Sequence, residues 1–201
     1  MIIEFGKETA LIMSTADTKQ QLLNSAQDLI QRVGINAMSY NDLSEIVGIT
    51  KASIHYHFPK KDDLINELLC SVRDEYRTMY TQIADSEDSA VNKLKNIAKI
   101  FENGVNENKI CMVSILSAEH ESLSETTHTT LKLAREDTVT IFEQIFLQGL
   151  KAGEFALIDD TYAAAYAFLS LLIGGQLISR ASKDPEKFMN ATNLYIHSML
   201  K

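Results

Sequence analysis

Proline stands at only two positions in 201 residues, Pro59 and Pro185, and apolar side chains recur three and four places apart nearly everywhere else. That spacing is the period of helices, and so few backbone breaks leave it uninterrupted. The expected fold class is all-α, with about nine helices. A first helix from about Thr18 to Val33 carries Leu22, Ala26, Leu29, Ile30 and Val33 on one stripe, and Gly34 stops it. In "SYND", Ser39 caps a second helix and Asp42 reaches back to complete a capping box. Gly48 then supplies a left-handed turn, Ile49 an anchor and Thr50 a new N-cap for a third helix ending near His57. Two short helices joined by a glycine turn and packed on a preceding amphipathic helix form a helix-turn-helix.

The remaining helices follow the same periodicity. Leu64, Leu68, Val72, Tyr76, Met79, Tyr80 and Ile83 mark a long fourth helix, and Val91 to Val105 a fifth. Ile110 to His120 reads as a sixth, and Ser124 to Lys151 as a long seventh that stops at Gly153. The eighth, from Asp159, is apolar almost all round and needs partners on several sides; Asp184 and Pro185 open a ninth. No apolar run approaches the ~18 uninterrupted residues that span a bilayer. The start, "MIIEFGKETALIM", is too polar for a signal peptide and reads as an arm over residues 1–13, or as a leader upstream of a start at Met13.

The formal net charge is -8, which argues against indiscriminate binding to polyanions, yet "KASIHYHFPKKDDL" (51–64) has no acid before Asp62. Ile54 and Phe58 share an inward face, leaving Lys51, Ala52, Ser53, His55 and Tyr56 outward. These types suit a duplex. Small Ala52 permits close approach, Ser53 and His55 can hydrogen-bond to bases, and Lys51, Tyr56, His57 and Lys61 can meet phosphates. By composition alone the stretch also fits a solvated basic helix end, because residues 14–64 hold five Lys or Arg against six acids, a net of -1.

The segment "MSYNDLSEIVGITKASIHYHFPKKDDL" resembles the DNA-binding domain of the TetR family of bacterial transcriptional regulators, with the resemblance running over about residues 18–65. It implies a helix-turn-helix domain, residues 14–62, on a helical domain, residues 63–201, that binds a small-molecule effector and dimerises. By position, Tyr56, His57 and Lys61 match the family's phosphate contacts, and Ala52, Ser53 and His55 match positions that face bases. With Ser39 and Lys51 they make up the candidate DNA-binding set. Position 55, usually aromatic in the family, is His55, and Ser44 stands where alanine is usual. The implied function is that of a regulator, a repressor by analogy, which binds a palindromic double-stranded DNA operator as a dimer and is released by its effector.

In the second domain the expected effector site draws on Phe101, Met112, Leu116, Glu119, His120, Phe142, Phe146, Tyr162 and Tyr166. The expected homodimer seam is the eighth and ninth helices, where Gly174 and Gly175 permit close approach. Glu119, His120, Glu121 and His128 raise a metal reading, but consecutive helical residues diverge and no familiar ligand spacing appears, so no metal or cofactor is expected. Cys70 and Cys111, forty-one positions apart without a C-x-x-C, fit reduced thiols in a cytoplasmic protein. Nothing in the chain has the spacing of a nucleophile with its base, paired catalytic carboxylates or a phosphate loop, which argues against an enzyme. A dimeric small-molecule carrier without DNA binding is the rival reading.

Overall fold

The structure is a computed structural model, and it describes residues 15–156, 158–182 and 184–201. The expected arm over 1–13 lies outside the described residues. These residues form nine α-helices and one short 3-10 turn, in the order α1 (Thr15–Val33), α2 (Tyr40–Val47), α3 (Lys51–His57), α4 (Lys61–Ala84), α5 (Ala90–Asn106), α6 (Met112–Ala118), the 3-10 turn His120–Ser122, α7 (Glu125–Ala152), α8 (Thr161–Ser182) and α9 (Pro185–Ser198). The only pairing of extended backbone among them is an isolated bridge between Phe155 and Leu200.

Two apolar cores organise the helices. The first gathers α1, α2, α3, the front half of α4, α6 and the start of α7 around Leu22, Ile30, Leu43, Ile54, Phe58, Leu68 and Leu116. The second gathers the rear of α4, α5, the rear of α7, α8 and α9 around Tyr80, Ile97, Phe142, Phe146 and Phe168. Helices α4 and α7 run through both. The expected division after residue 62 therefore falls at the head of a helix that serves each core in turn. Val33, expected on the buried stripe of α1, is half exposed because the helix has already turned away at its last residue.

Helix α8 alone among the described residues is long and apolar enough to cross a membrane, a length the uninterrupted-run criterion missed because its polar residues are scattered. Its Phe168, Leu169 and Leu172 are instead buried in the second core, beside α5, α7 and α9. On α9, Tyr195 stacks on Phe168 at 5.8 Å and its hydroxyl donates to the Ala164 carbonyl at 2.9 Å, which fixes that pair of helices.

The start of α5 is closed from elsewhere in the chain: the Glu154 carboxylate, just beyond the Gly153 stop of α7, accepts from the backbone N–H groups of Ala90 and Val91, both at 3.1 Å. A carboxylate at a helix N-terminus both satisfies orphan donors and faces the positive end of the dipole. Glu154→Ala should cost about 1–2 kcal/mol of stability, measurable as a lower urea midpoint with an unchanged m-value. Glu154→Gln, which keeps an acceptor, should recover part of that loss.

Candidate nucleic-acid interface and adjoining cavity

Local hydrogen bonds fix the turn that presents α3. At the start of α2 the Ser39 N–H and hydroxyl donate to the Asp42 carboxylate at 2.8 and 2.7 Å, and the Asp42 N–H donates to the Ser39 oxygen at 3.3 Å. Gly48 ends the helix at φ 74°, the left-handed region that a side chain resists. The Ser44 hydroxyl spans the turn and donates to the Ile49 carbonyl at 2.6 Å, a brace that an alanine there lacks. Thr50 then caps α3 through the Ser53 N–H at 3.2 Å.

The far end of α3 is held as firmly. The Tyr40 hydroxyl donates to the Phe58 carbonyl at 2.9 Å, and its ring meets the His55 ring edge-on at 4.9 Å. Burial, helped by Asp63, pushes the Tyr40 hydroxyl up to about 12, so it remains a donor. Ile54 and Phe58 are buried as the sequence requires, while Lys51, Ala52, His55 and Tyr56 are exposed and Ser53 and His57 half-buried. Tyr56, at 76% exposure, leans only on the edge of His57, 5.3 Å away. In front of them an open groove is lined by Ala52, Ser53, Tyr56 and His57 together with Thr15, Thr18 and Ile49. His55 Nδ1 lies 3.3 Å from the Pro59 carbonyl, so when that nitrogen carries the proton the ring is held toward the bend.

Lys61 is placed differently from the other candidates. Its ammonium turns inward and donates to the carbonyls of Ile35 and Met38, the latter at 2.6 Å, in the loop between α1 and α2. Burial pulls this amine down from its ordinary value, against the pull of Glu119 and Asp42. The loop carbonyls of Ile35 and Met38 have no helical partner, and the half-buried amine supplies a donor to each. On the other side of the same loop, Glu119 accepts from the Asn36 N–H at 2.8 Å and the Ser122 hydroxyl donates to Asn36 Oδ1 at 3.1 Å.

More bonds run from the last turn of α1 to the second domain. The Ile110 N–H donates to the Gln31 carbonyl at 3.0 Å, Arg32 to the Glu107 carbonyl at 2.7 Å, and Arg180 of α8 to the Arg32 carbonyl. Lys109 pairs with Asp28 at 3.0 Å. Beneath them lies a cavity of about 60 Å³ lined by Gln31, Tyr76, Tyr80, Ile100, Phe101, Lys109, Ile110, Cys111 and Gln176. A second void, about 10 Å³, shares Tyr76, Tyr80, Phe101 and Cys111 and adds Val113, Arg135, Thr138, Leu169 and Ile173.

Of the nine residues expected to bind an effector, Phe101 lines these voids and the other eight do not. Met112 and Leu116 are fully buried in the first core, and Phe142 and Phe146 are spent on each other's neighbours, Tyr80, Phe155 and Phe168. Tyr162 and Tyr166 point out from α8, each 47% exposed, and they stand nearer the start of that helix than Leu169, Ile173 and Gln176, the α8 residues that line the voids. Glu119 holds the α1–α2 loop, and exposed His120 meets Glu121 at 3.0 Å with the His128 ring 6.0 Å away. No group of three metal-ligating side chains exists among the described residues. Of the buried polar walls of the cavity, Gln176 left a sequence signal, a polar residue on an otherwise apolar helix face, whereas Gln31 left none, since it lies with Asn24, Gln27 and Asp28 on the polar face of α1.

The family model described as bacterial regulatory proteins, tetR family, matches residues 22–68, which span α1 to the front of α4. The regulator LuxR of Vibrio harveyi is 30% identical over 88 residues, 44% of this chain and 42% of that one. The repressor KstR2 of Mycolicibacterium smegmatis is 26% identical over 110 residues, 55% of this chain and 53% of its own length. The chain thus spans about half the length of these curated relatives. A crystal structure of a TetR-family regulator from Agrobacterium tumefaciens superposes with a TM-score of 0.89 at 25% identity, over 94% of this chain and 100% of that one. With the capped helix-turn-helix inside the matched segment and the helical second domain inside the superposed one, the chain carries the DNA-binding domain of the TetR family of bacterial regulatory proteins on a second domain similar in fold to that of a TetR-family regulator.

Proposed function

We propose that this chain is a ligand-responsive transcriptional regulator, a repressor that binds a palindromic operator as a homodimer and is released by a small molecule. The observation that carries the reading is the front of α3: Lys51, Ala52, His55 and Tyr56 stand exposed in a stretch free of acids from 51 to 61, on a helix fixed at both ends. Such a helix can enter a major groove without rearranging, its first turn nearest the base edges.

A second copy completes the site. Ile178 at 70% and Leu194 at 72% exposure, with Leu177, Tyr162 and Tyr166 beside them, put an apolar stripe on the outer faces of α8 and α9. Gly174 adds no side chain to that stripe, and a Cβ there would meet nothing within 4 Å. Two copies joined along it by a two-fold axis present two α3 helices to successive major grooves, ~34–36 Å apart.

Release follows from where the cavity lies. Gln31 of α1 is one of its walls, and a drug-sized ligand occupies ~300 Å³ or more, far beyond the space present. A ligand therefore favours a state in which the walls part, and α1 and α4 shift with them, changing the separation of the paired α3 helices.

The reading is tested by mobility shift with DNA flanking the chain's own gene, at about 50 and 200 mM salt. Affinity should fall ~100-fold between the two if about four phosphates are contacted. The acid excess of the first domain favours the rival, a dimeric carrier; absence of any shift at the lower salt would establish it.

A further inference from the structure

The two voids hold more chemical information than their size suggests. Although the chain carries 27 acids to 19 Lys or Arg, no Asp or Glu lines either void. Two cations do, one at each. Lys109 is neutralised, by Asp28 at 3.0 Å and Glu107 at 2.7 Å. Arg135 is not: its neighbours Glu136 and Asp137 are turned to Lys132 and Arg73, and no carboxylate meets its guanidinium among the described residues.

The hydrogen-bonding groups inside sort the same way. Both ends of the Gln176 amide are committed, its oxygen to the Cys111 N–H at 3.0 Å and its nitrogen to the Phe101 carbonyl at 2.8 Å. The Thr138 hydroxyl donates to the Ala134 carbonyl at 2.9 Å. Gln31 donates to the Tyr76 hydroxyl, which leaves the Tyr80 hydroxyl as the freest group to face an occupant; burial holds both tyrosines above their ordinary values, so each keeps its proton to donate. The remaining walls, Phe101, Ile110, Val113, Leu169 and Ile173, are apolar.

An apolar chamber with phenolic donors, a free guanidinium at its rim and no fixed negative charge stabilises one class of guest best. We infer that the cavity takes a small molecule with an apolar body and a single carboxylate. The inference rests on the effector reading of this cavity and names the ligand class for it. A carboxylate between buried Tyr80 and Arg135, which is exposed at the rim, gains charge-assisted hydrogen bonds, whereas an amine there would lose part of its hydration with no anion to replace it. Because Tyr76, Tyr80, Phe101 and Cys111 are shared by both voids, parting them joins the two spaces into one.

Calorimetric titration of the full chain, without DNA, tests this with three matched probes at constant ionic strength: benzoate, benzamide and benzylamine, and the six-carbon aliphatic set beside them. At least one carboxylate should bind about tenfold or more tighter than its amide, with no binding of the amines. Tyr80→Phe should weaken that carboxylate about tenfold and Arg135→Gln about threefold, the second loss shrinking as salt is raised. Thermal midpoints of both variants report that the fold is kept. Equal affinity for acid and amide, preference for an amine, no binding by any probe, or unchanged affinity in Tyr80→Phe overturns the inference. Operator binding by the unliganded chain is measured separately, so failure here and failure of the regulator reading are distinguishable.

Discussion

Gly34→Ala should lower stability by about 2–4 kcal/mol, a fall of about 5–15 °C in the thermal midpoint for a chain of this size. Two costs combine at this residue. Its φ of 89° lies where an L side chain is strained by ~1–2 kcal/mol, and a Cβ there would collide with Glu119 Oε1. The carboxylate cannot step aside freely, because it holds the Asn36 N–H at 2.8 Å. Losing that charge-assisted bond costs a further ~1.5–3 kcal/mol, less whatever solvent restores at a half-buried group. The consequence is a loosened joint between the helix-turn-helix and the second domain. Glu119→Ala made alone should cost the bond but not the clash. Combined with Gly34→Ala, it should leave a double variant more stable than the sum of the singles by about 1–2 kcal/mol. Strict additivity in urea unfolding would mean that glycine and carboxylate do not press on each other, and the joint would then be assigned to Lys61 and Arg180.

What could be read from the chain before its structure follows from how far each determinant reaches. The Ser39–Asp42 box, the Gly48 turn and the Gly153 stop depend on residues within four positions, so their chemistry is spelled out locally. Ile54 and Phe58 were likewise legible, since a period of four puts them on one face. The sixth helix was read too long because its start is decided at a distance: the Cys111 N–H is taken by Gln176, 65 residues away, and the helix begins only at Met112. Its end was lost to the tighter turn at His120–Ser122. The cavity was the least legible feature. Phe142 and Phe146 have the same periodicity as Tyr76 and Tyr80, and only the packing of α4 against α5 and α7 decides which aromatic rings border a void and which fill the core. The shape between helices is set by every side chain at once.

The same reach separates two lysines that look alike in the sequence. Lys51 is exposed at the first turn of α3, whereas the Lys61 ammonium is engaged by carbonyls 26 and 23 residues away. If Lys51 meets a phosphate in each half-site, Lys51→Ala removes two contacts from the dimer. Operator affinity should then fall ~100-fold at low salt, the salt slope should drop by about 2, and stability should change by less than ~0.5 kcal/mol, as for any free surface side chain. Lys61→Met should do the reverse. It strips two loop carbonyls of their donor, costs ~1–3 kcal/mol of stability, and weakens the operator complex through a displaced α1–α2 loop while the salt slope stays where it was. Fluorescence anisotropy across a salt series, with unfolding curves on the same samples, separates the two. A reduced slope for Lys61→Met would return that amine to the phosphate backbone, and an unchanged slope for Lys51→Ala would remove the first turn of α3 from it.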